Sequence, residues 1–143
     1  MSRYPKKSGG AGRIVWIAKY YRDRQGAQPV KEFIDMLPPA HQELIDRKID
    51  RLNVFGPMIP APHTKQIRGK LRRLKADFAG LRYRILYHEA ESGFIVLLHV
   101  FVKKTPKISQ SEIAVAESRW VDFERRMDEV ERVPPRAFGG DAP

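Results

Sequence analysis

The sequence predicts a single α+β domain for three reasons. Its length of 143 residues fits one domain of ordinary size. Apolar residues recur at helical spacing in three segments, and β-branched and aromatic residues cluster in four others. With 42% hydrophobic residues, the chain can bury a core without covalent cross-links. We therefore expect one domain over residues 13–132, with a flexible basic tail at 1–12 and a flexible tail at 133–143.

Two helices are predicted in the N-terminal half and one near the C-terminal end. Pro29 begins the first, and Pro38-Pro39 stops it, because proline is tolerated in the first helical turn but not further along. The second spans about 40–55 and carries a row of apolar residues on one face: Leu44, Ile45, Ile49 and Leu52. The third begins near Ser109 and has apolar residues at helical spacing: Ile113, Ala116, Trp120, Phe123 and Met127.

Four segments have the composition of strands, so the sheet should contain about four. They are residues 13–20, 71–76, 81–88 and 94–102. The last three are joined by short turns, which indicates an antiparallel meander. The segment 94–102 is apolar on both faces, as expected of a central strand that is covered on each side.

The charge of the chain points to an anionic partner. Its 27 Lys and Arg residues outnumber 17 Asp and Glu residues, for a formal net charge of +10, and such a field favours polyanions. The alternative is that the excess charge only maintains solubility.

The sequence lacks the residues that several classes of chemistry require. The chain has no cysteine, which excludes disulfides, thiolate nucleophiles and Cys-based zinc sites and fits a reducing compartment. No apolar run approaches the ~20 residues of a membrane span. No carboxylate cluster for magnesium and no glycine-rich phosphate loop is present. We expect a cytoplasmic protein with no membrane contact, no metal and no cofactor.

The densest charge lies between residues 65 and 84, where Asp77 is the only acidic residue. Its cations are Lys65, Arg68, Lys70, Arg72, Arg73, Lys75, Arg82 and Arg84. Side chains alternate along a strand, so Arg82 and Arg84 share one face, and Arg73 and Lys75 share another. If the two strands pair through the turn at 77–80, these four cations lie on one surface, where a phosphate backbone would balance them. A register slip of one residue would reverse the arrangement. The alternative is a charged edge strand that resists aggregation.

A second basic site, Lys103, Lys104 and Lys107, follows the last strand, although these lysines could also simply solvate a turn. His99, in the same strand, is a candidate general acid or base because histidine titrates near neutrality. The apolar residues around it equally fit a hydrogen-bonded core histidine. His88, near the end of the preceding strand, is a rival candidate.

Taken together, these motifs resemble the RelE/ParE toxin superfamily, and most closely its phage-derived HigB-like branch. The resemblance covers roughly residues 14–126. It is carried by KLRRLK at 70–75, YRILY at 83–87, LLHVFVKKT at 97–105 and EI at 112–113. It implies a twisted antiparallel sheet with two helices on one face. It also implies a toxin of a type II toxin–antitoxin system that cleaves mRNA in the ribosomal A site, inhibits translation and pairs with a helix-turn-helix antitoxin.

The resemblance also assigns roles. Arg84 matches a strand arginine that contacts phosphate, and Lys103 and Lys104 match a basic pair at the end of the next strand. Lys75 stands where many relatives carry arginine, and lysine lacks the bidentate geometry of that residue. We predict that five residues take part in catalysis: Arg84, Arg73, Lys75, Lys103 and His99. Five more are predicted to bind RNA: Lys70, Arg82, Lys104, Lys107 and Arg68.

Cleavage would need no metal, because the 2′-hydroxyl of RNA can attack the adjacent phosphorus when a protein aligns the groups, stabilises charge and moves protons. Two other functions remain open. A ParE-like toxin would share the fold but inhibit gyrase through protein contacts. A non-catalytic RNA-binding module, or an inactive toxin, would bind RNA and leave it intact.

Overall fold

The computed structural model describes residues 16–131, which form a five-stranded sheet and three helices. In chain order the elements are β1 (Ile17–Tyr20), α1 (Pro29–Asp35), α2 (Pro39–Phe55), β2 (Thr64–Arg68), β3 (Leu71–Phe78), β4 (Leu81–Glu89), a short 3-10 turn (Glu91–Gly93), β5 (Phe94–Val102) and α3 (Gln110–Glu131). The tails predicted at 1–12 and 133–143 lie outside the described residues. None of the helices within 16–131 is long and apolar enough to span a bilayer.

The sheet corrects the prediction of about four antiparallel strands, because it has five strands and is mixed. The strand order is β1-β5-β4-β3-β2. The meander β3-β4-β5 is antiparallel as predicted, whereas β1 pairs with β5 in parallel. We did not predict β2, because Lys65, Gln66 and Arg68 give it no apolar alternation. Nothing in the composition of β1 fixes its direction; α1 and α2 carry the chain to the opposite edge, from which the meander returns alongside β1.

The core has two layers, one on each face of the sheet. α1 and α2 cover one face, as expected, where Ile45 and Leu52 pack with Ile85 of β4. α3 covers part of the other face, where Ile113 and Ala116 pack with Leu86, Val96 and Leu98. Burying each large aliphatic side chain stabilises the fold by roughly 1.5–3 kcal/mol. β5 lies between β1 and β4 and contributes to both clusters, so it is an interior strand covered on each side, as its composition predicts, although the middle strand of the five is β4.

The edge strand β1 is fastened to the end of α2 by two contacts. The amide N–H of Ala18 donates to Oδ1 of the buried Asn53 at 2.6 Å. Gly56 ends α2 with a φ of 87°, and a Cβ at this position would lie 2.8 Å from Nε1 of Trp16. Both the positive φ and the close approach of the indole require glycine here. These contacts hold the start of β1 against the helical layer.

A β-bulge in β5 changes which side chains face α3. Leu86 pairs with His99 while its neighbour Tyr87 pairs with Leu97, so Leu98 has no partner opposite. Leu98 nevertheless packs in the α3 cluster, and His99 contacts α3 as well. Two consecutive side chains therefore lie on the same side of the sheet, as a bulge permits. Beyond the bulge the alternation continues, which brings Phe101 and Lys103 to the face of His99.

We predict that replacing Ala79 stabilises the protein. The turn between β3 and β4 consists of Ala79 and Gly80, whose φ angles of 52° and 81° are both positive. This is the backbone of a type I′ turn, which favours Asn-Gly. Ala79→Asn should raise the free energy of unfolding by about 0.5–1 kcal/mol and the melting temperature by a few degrees. Gly80→Ala should lower both, although no atom lies within 4 Å of the added Cβ. Calorimetric melting of both variants provides the measurement, and equal melting temperatures would contradict this account of the turn.

Candidate nucleic-acid interface

Five cations lie on one surface of the sheet, which we call the basic face: Arg73, Lys75, Arg82, Arg84 and Lys103. The register of β3 and β4 sets Lys75 opposite Arg84, Arg73 opposite Leu86, and Asp77 opposite Arg82. The four cations Arg73, Lys75, Arg82 and Arg84 therefore share one surface, which is the arrangement expected if the two strands pair through the turn at 77–80. Lys103 joins them from the end of β5, where its amide N–H donates to the carbonyl of Arg82 at 2.7 Å.

The helix α3 leaves the basic face open. It packs where β3, β4 and β5 present Leu71, Leu86 and Val96. Leu71 pairs with His88, whereas Lys75 pairs with Arg84 further along the same two strands. At that end Arg82 is exposed, and Lys75 and Lys103 are half-exposed. The basic face is thus an open surface, suited to an extended ligand.

Arg84 is the fixed point of the basic face. It is only 4% exposed, and its Nη1 donates to Oδ1 of Asp77 at 2.6 Å and to the carbonyl of Tyr83 at 2.8 Å. Its Nε is buried and makes no hydrogen bond within residues 16–131. A buried charge is stable only when it is paired. The side chain is therefore held in one position by Nη1, while the Nε donor is not used by any described residue.

Asp77 contacts a second cation as well. Its Oδ2 lies 3.7 Å from Nζ of Lys75, and its side chain is 44% exposed. Burial tends to raise the pKa of the carboxyl group, but the hydrogen bond and charge of Arg84 outweigh burial and hold the pKa below its ordinary value. Asp77 is therefore ionised at neutral pH.

Proton affinity at Lys103 is reduced by its surroundings. Partial desolvation lowers the pKa of the Lys103 ammonium group, and the charges of Arg84 and Arg73 lower it further. A lysine with a lowered pKa is neutral more often and can then accept a proton. Burial and the charge of Arg84 also lower the pKa of Arg73, whose Nη1 donates to the carbonyl of Pro62 at 3.0 Å.

His99 has features both of a general acid or base and of a hydrogen-bonded core histidine, the two interpretations that its sequence position allows. Its Nε2 lies 2.6 Å from Oε1 of Glu112 on α3, and its ring stacks on Phe101. With the Glu112 carboxylate accepting from Nε2–H, the lone pair of the neutral imidazole is on Nδ1. Burial lowers the pKa of His99 more than Glu112 raises it, so the neutral form is favoured. His99 is thus hydrogen-bonded and lies on the face that carries the cations.

His88 lies at the end of the sheet that α3 covers. Its ring stacks on Trp120 with centroids 3.6 Å apart, and its Nδ1 lies 2.7 Å from the carbonyl oxygen of Glu89. It pairs with Leu71, away from Lys75 and Arg84. The structure therefore separates this rival candidate from the basic face.

The residues predicted to bind RNA separate into two groups. Arg82 lies on the basic face, and Lys104 and Lys107 are exposed in the loop that follows Lys103. Arg68 instead forms an ion pair with Glu117 at 2.9 Å and fastens β2 to α3. Lys70 lies in the turn before Leu71, at the far end of β3 from Lys75. Arg68 and Lys70 therefore do not join the basic face.

Two residues contribute to the site although the sequence assigned them no role in it. Lys65 was counted in the cation cluster; it lies on β2, a strand that was not predicted, and pairs with Arg73, which extends the positive charge by one strand. Glu112 orients His99, and its signal was only its place in the EI motif that begins the last helix. Within residues 16–131 no three His, Asp or Glu side chains come together as a possible metal site.

The comparison with family models identifies the class of protein. A model described as phage derived protein Gp49-like (DUF891) matches residues 32–121, more than half of the chain and every strand of the basic face. This chain belongs to the Gp49-like family, a family of RelE/ParE-like toxins of toxin–antitoxin systems. A search of the curated proteins returns no match.

We predict that His99 makes stability depend on pH. Its pKa in the folded protein lies below the ordinary value of 6.5, so the unfolded chain binds the proton more readily. The contribution of neutral His99 to the free energy of unfolding is therefore complete above about pH 6.5 and is lost as the pH falls. His99→Gln should show a smaller loss of the free energy of unfolding between pH 7.5 and pH 5.5 than wild type, measured by urea denaturation. Adding His88→Gln to His99→Gln should make the loss of the free energy of unfolding smaller still, because burial lowers the pKa of His88 as well. A loss in His99→Gln equal to that of wild type would contradict the assignment.

Proposed function

We propose that this chain is a toxin of the HigB-like branch that cleaves mRNA without metal and thereby inhibits translation. Membership of the Gp49-like family supports a role in a toxin–antitoxin system. The observation that carries the proposal of cleavage is the basic face itself, where the buried Arg84 adjoins Lys75 and Lys103. Such a cluster is stabilised by phosphate groups and can compensate the charge that develops on them.

In the proposed reaction, the 2′-hydroxyl of a nucleotide loses its proton and its oxygen attacks the adjacent phosphorus. The bond from phosphorus to the 5′-oxygen breaks, which leaves a 2′,3′-cyclic phosphate and a 5′-hydroxyl that takes up a proton. Arg84 and Arg73 stabilise the charge on the phosphorane, and Lys75 holds a phosphate oxygen. One such donor contributes roughly 10²- to 10³-fold to the rate.

Two side chains are suited to the proton transfers. Lys103 has a lowered pKa, and Nδ1 of His99 carries the lone pair of a neutral imidazole. A positioned base contributes roughly 10²- to 10⁴-fold to the rate. Arg82, Lys104 and Lys107 would hold the phosphates on either side of the cleaved one. In this role their contribution should weaken steeply with salt.

The setting of the reaction is also a proposal. The open basic face suits an extended single strand, such as the mRNA in the ribosomal A site of the cytoplasm. Control would come from a helix-turn-helix antitoxin, as the resemblance to HigB-like toxins implies. A non-catalytic RNA-binding module is the second candidate, because Lys75 lacks the bidentate geometry of arginine and His99 is held by Glu112.

We predict that Lys103→Ala lowers the cleavage of mRNA about 100-fold. The variant should be induced in a bacterium beside wild type, with mRNA 5′ ends mapped within minutes. Wild type should produce new ends inside translated frames, and Lys103→Ala should reduce them about 100-fold. Lys103 is better suited to this test than Arg84, because Lys103 is half-exposed and Arg84 is buried against Asp77.

Lys31→Ala is the matched control. Lys31 lies on α1, on the other side of the sheet, in an exposed ion pair with Asp35 that contributes little to stability. It should cleave like wild type. Growth arrest without new 5′ ends would contradict cleavage and favour a protein target such as gyrase. Full cleavage by folded Lys103→Ala would contradict the role of Lys103 in proton transfer.

A further inference from the structure

Asp77 is an acidic residue in a place where the proposed ligand is acidic. It lies opposite Arg82 in the register, contacts Arg84 and Lys75, and is the only acid between residues 65 and 84. An anion that approaches Arg84 must therefore also approach the Asp77 carboxylate. Two like charges within a few ångströms repel each other, so the two anions compete for the same cations.

The geometry of Arg84 limits where an anion can bind it. Arg84 is buried, and its Nη1 already donates to Asp77 and to the Tyr83 carbonyl. The buried Nε has no hydrogen-bond partner among the described residues. A carboxylate and a phosphate present similar pairs of oxygens to a guanidinium. A phosphate oxygen can therefore accept from Nη1 in the position that Oδ1 of Asp77 holds.

We propose that Asp77 is a placeholder for an RNA phosphate, and that RNA binding displaces it from Arg84. This inference rests on the proposed function, because it takes RNA as the ligand. In the free protein Asp77 holds the guanidinium in position. In the complex a phosphate oxygen takes its place, and Asp77 turns toward solvent.

The position of Asp77 allows this exchange. It stands near the end of β3, just before the turn at Ala79 and Gly80, and its side chain is almost half exposed. Its second contact, with Lys75, is long at 3.7 Å. Displacement therefore breaks one short hydrogen bond, and a charged phosphate oxygen can replace it.

We predict that removing the charge of Asp77 strengthens RNA binding. Asp77→Asn retains an oxygen that accepts from Arg84 and removes the negative charge. The probe is a fluorescent 2′-O-methyl RNA oligonucleotide, which has no free 2′-hydroxyl and cannot be cut. Its dissociation constant, measured by anisotropy, should fall roughly five- to tenfold. The dependence of binding on salt should steepen by about the contribution of one phosphate contact.

Asp35→Asn is the matched control, because it removes one exposed acid that pairs with a cation, Lys31, on the other side of the sheet. It should bind the probe within about twofold of wild type, which separates a local effect from the change in net charge. Asp77→Glu retains the charge and should also bind like wild type. If Asp77→Asn does not fold, Asp77→Ser serves the same test, since its hydroxyl can accept from Arg84.

The outcomes distinguish the two proposals. Equal or weaker binding by folded Asp77→Asn, with clear binding by wild type, overturns the placeholder and leaves the proposed function in place. Binding by the variant alone supports the placeholder. If neither protein binds the probe, the placeholder is overturned, and the mapping of mRNA 5′ ends decides the proposed function separately. If Asp77→Asn and Asp35→Asn strengthen binding of the probe equally, the change in net charge explains the effect, and the placeholder is also overturned.

Discussion

The ion pair between Arg84 and Asp77 allows a guanidinium to lie buried in the middle of the sheet. Arg84 pairs with Lys75 on one neighbouring strand and with Phe101 on the other, so its position determines the surface of all three strands. Without the carboxylate, a desolvated cation would adjoin several others, and burial of an unpaired charge costs several kcal/mol in effect. The basic face therefore depends on the ion pair of the buried Arg84, which also stabilises the fold.

The β-bulge connects the core to this surface. With strict alternation after Leu98, His99 and Lys103 would point toward α1 and α2. The extra residue turns both of them to the side of α3, where Glu112 holds His99 and the arginines surround Lys103. One irregularity in one strand thus decides which chemistry the sheet presents, as is common for bulges beside functional sites.

Much of this architecture could be predicted where local pattern determines it. The apolar rows of the helices and the turn at 77–80 are local, so the three helices and the pairing of β3 with β4 could be predicted, whereas the register of that pair was left open and is given by the structure. The polar strand β2, the direction of β1 and the bulge depend on pairing between distant segments, which composition does not encode. For the same reason the sequence grouped the cations correctly but did not show that Arg68 faces Glu117 or that Glu112 orients His99.

The parallel pairing of β1 with β5 has a consequence for the order of folding. The meander from β3 to β5 consists of contacts close in sequence, whereas Ile17 must wait for Phe94 before it has a partner. Local pairings form early, and pairings between distant segments form late. During synthesis on the ribosome the first strand emerges long before the strand beside which it will lie. In the nascent chain, β1 therefore has no strand beside it until β5 has been made.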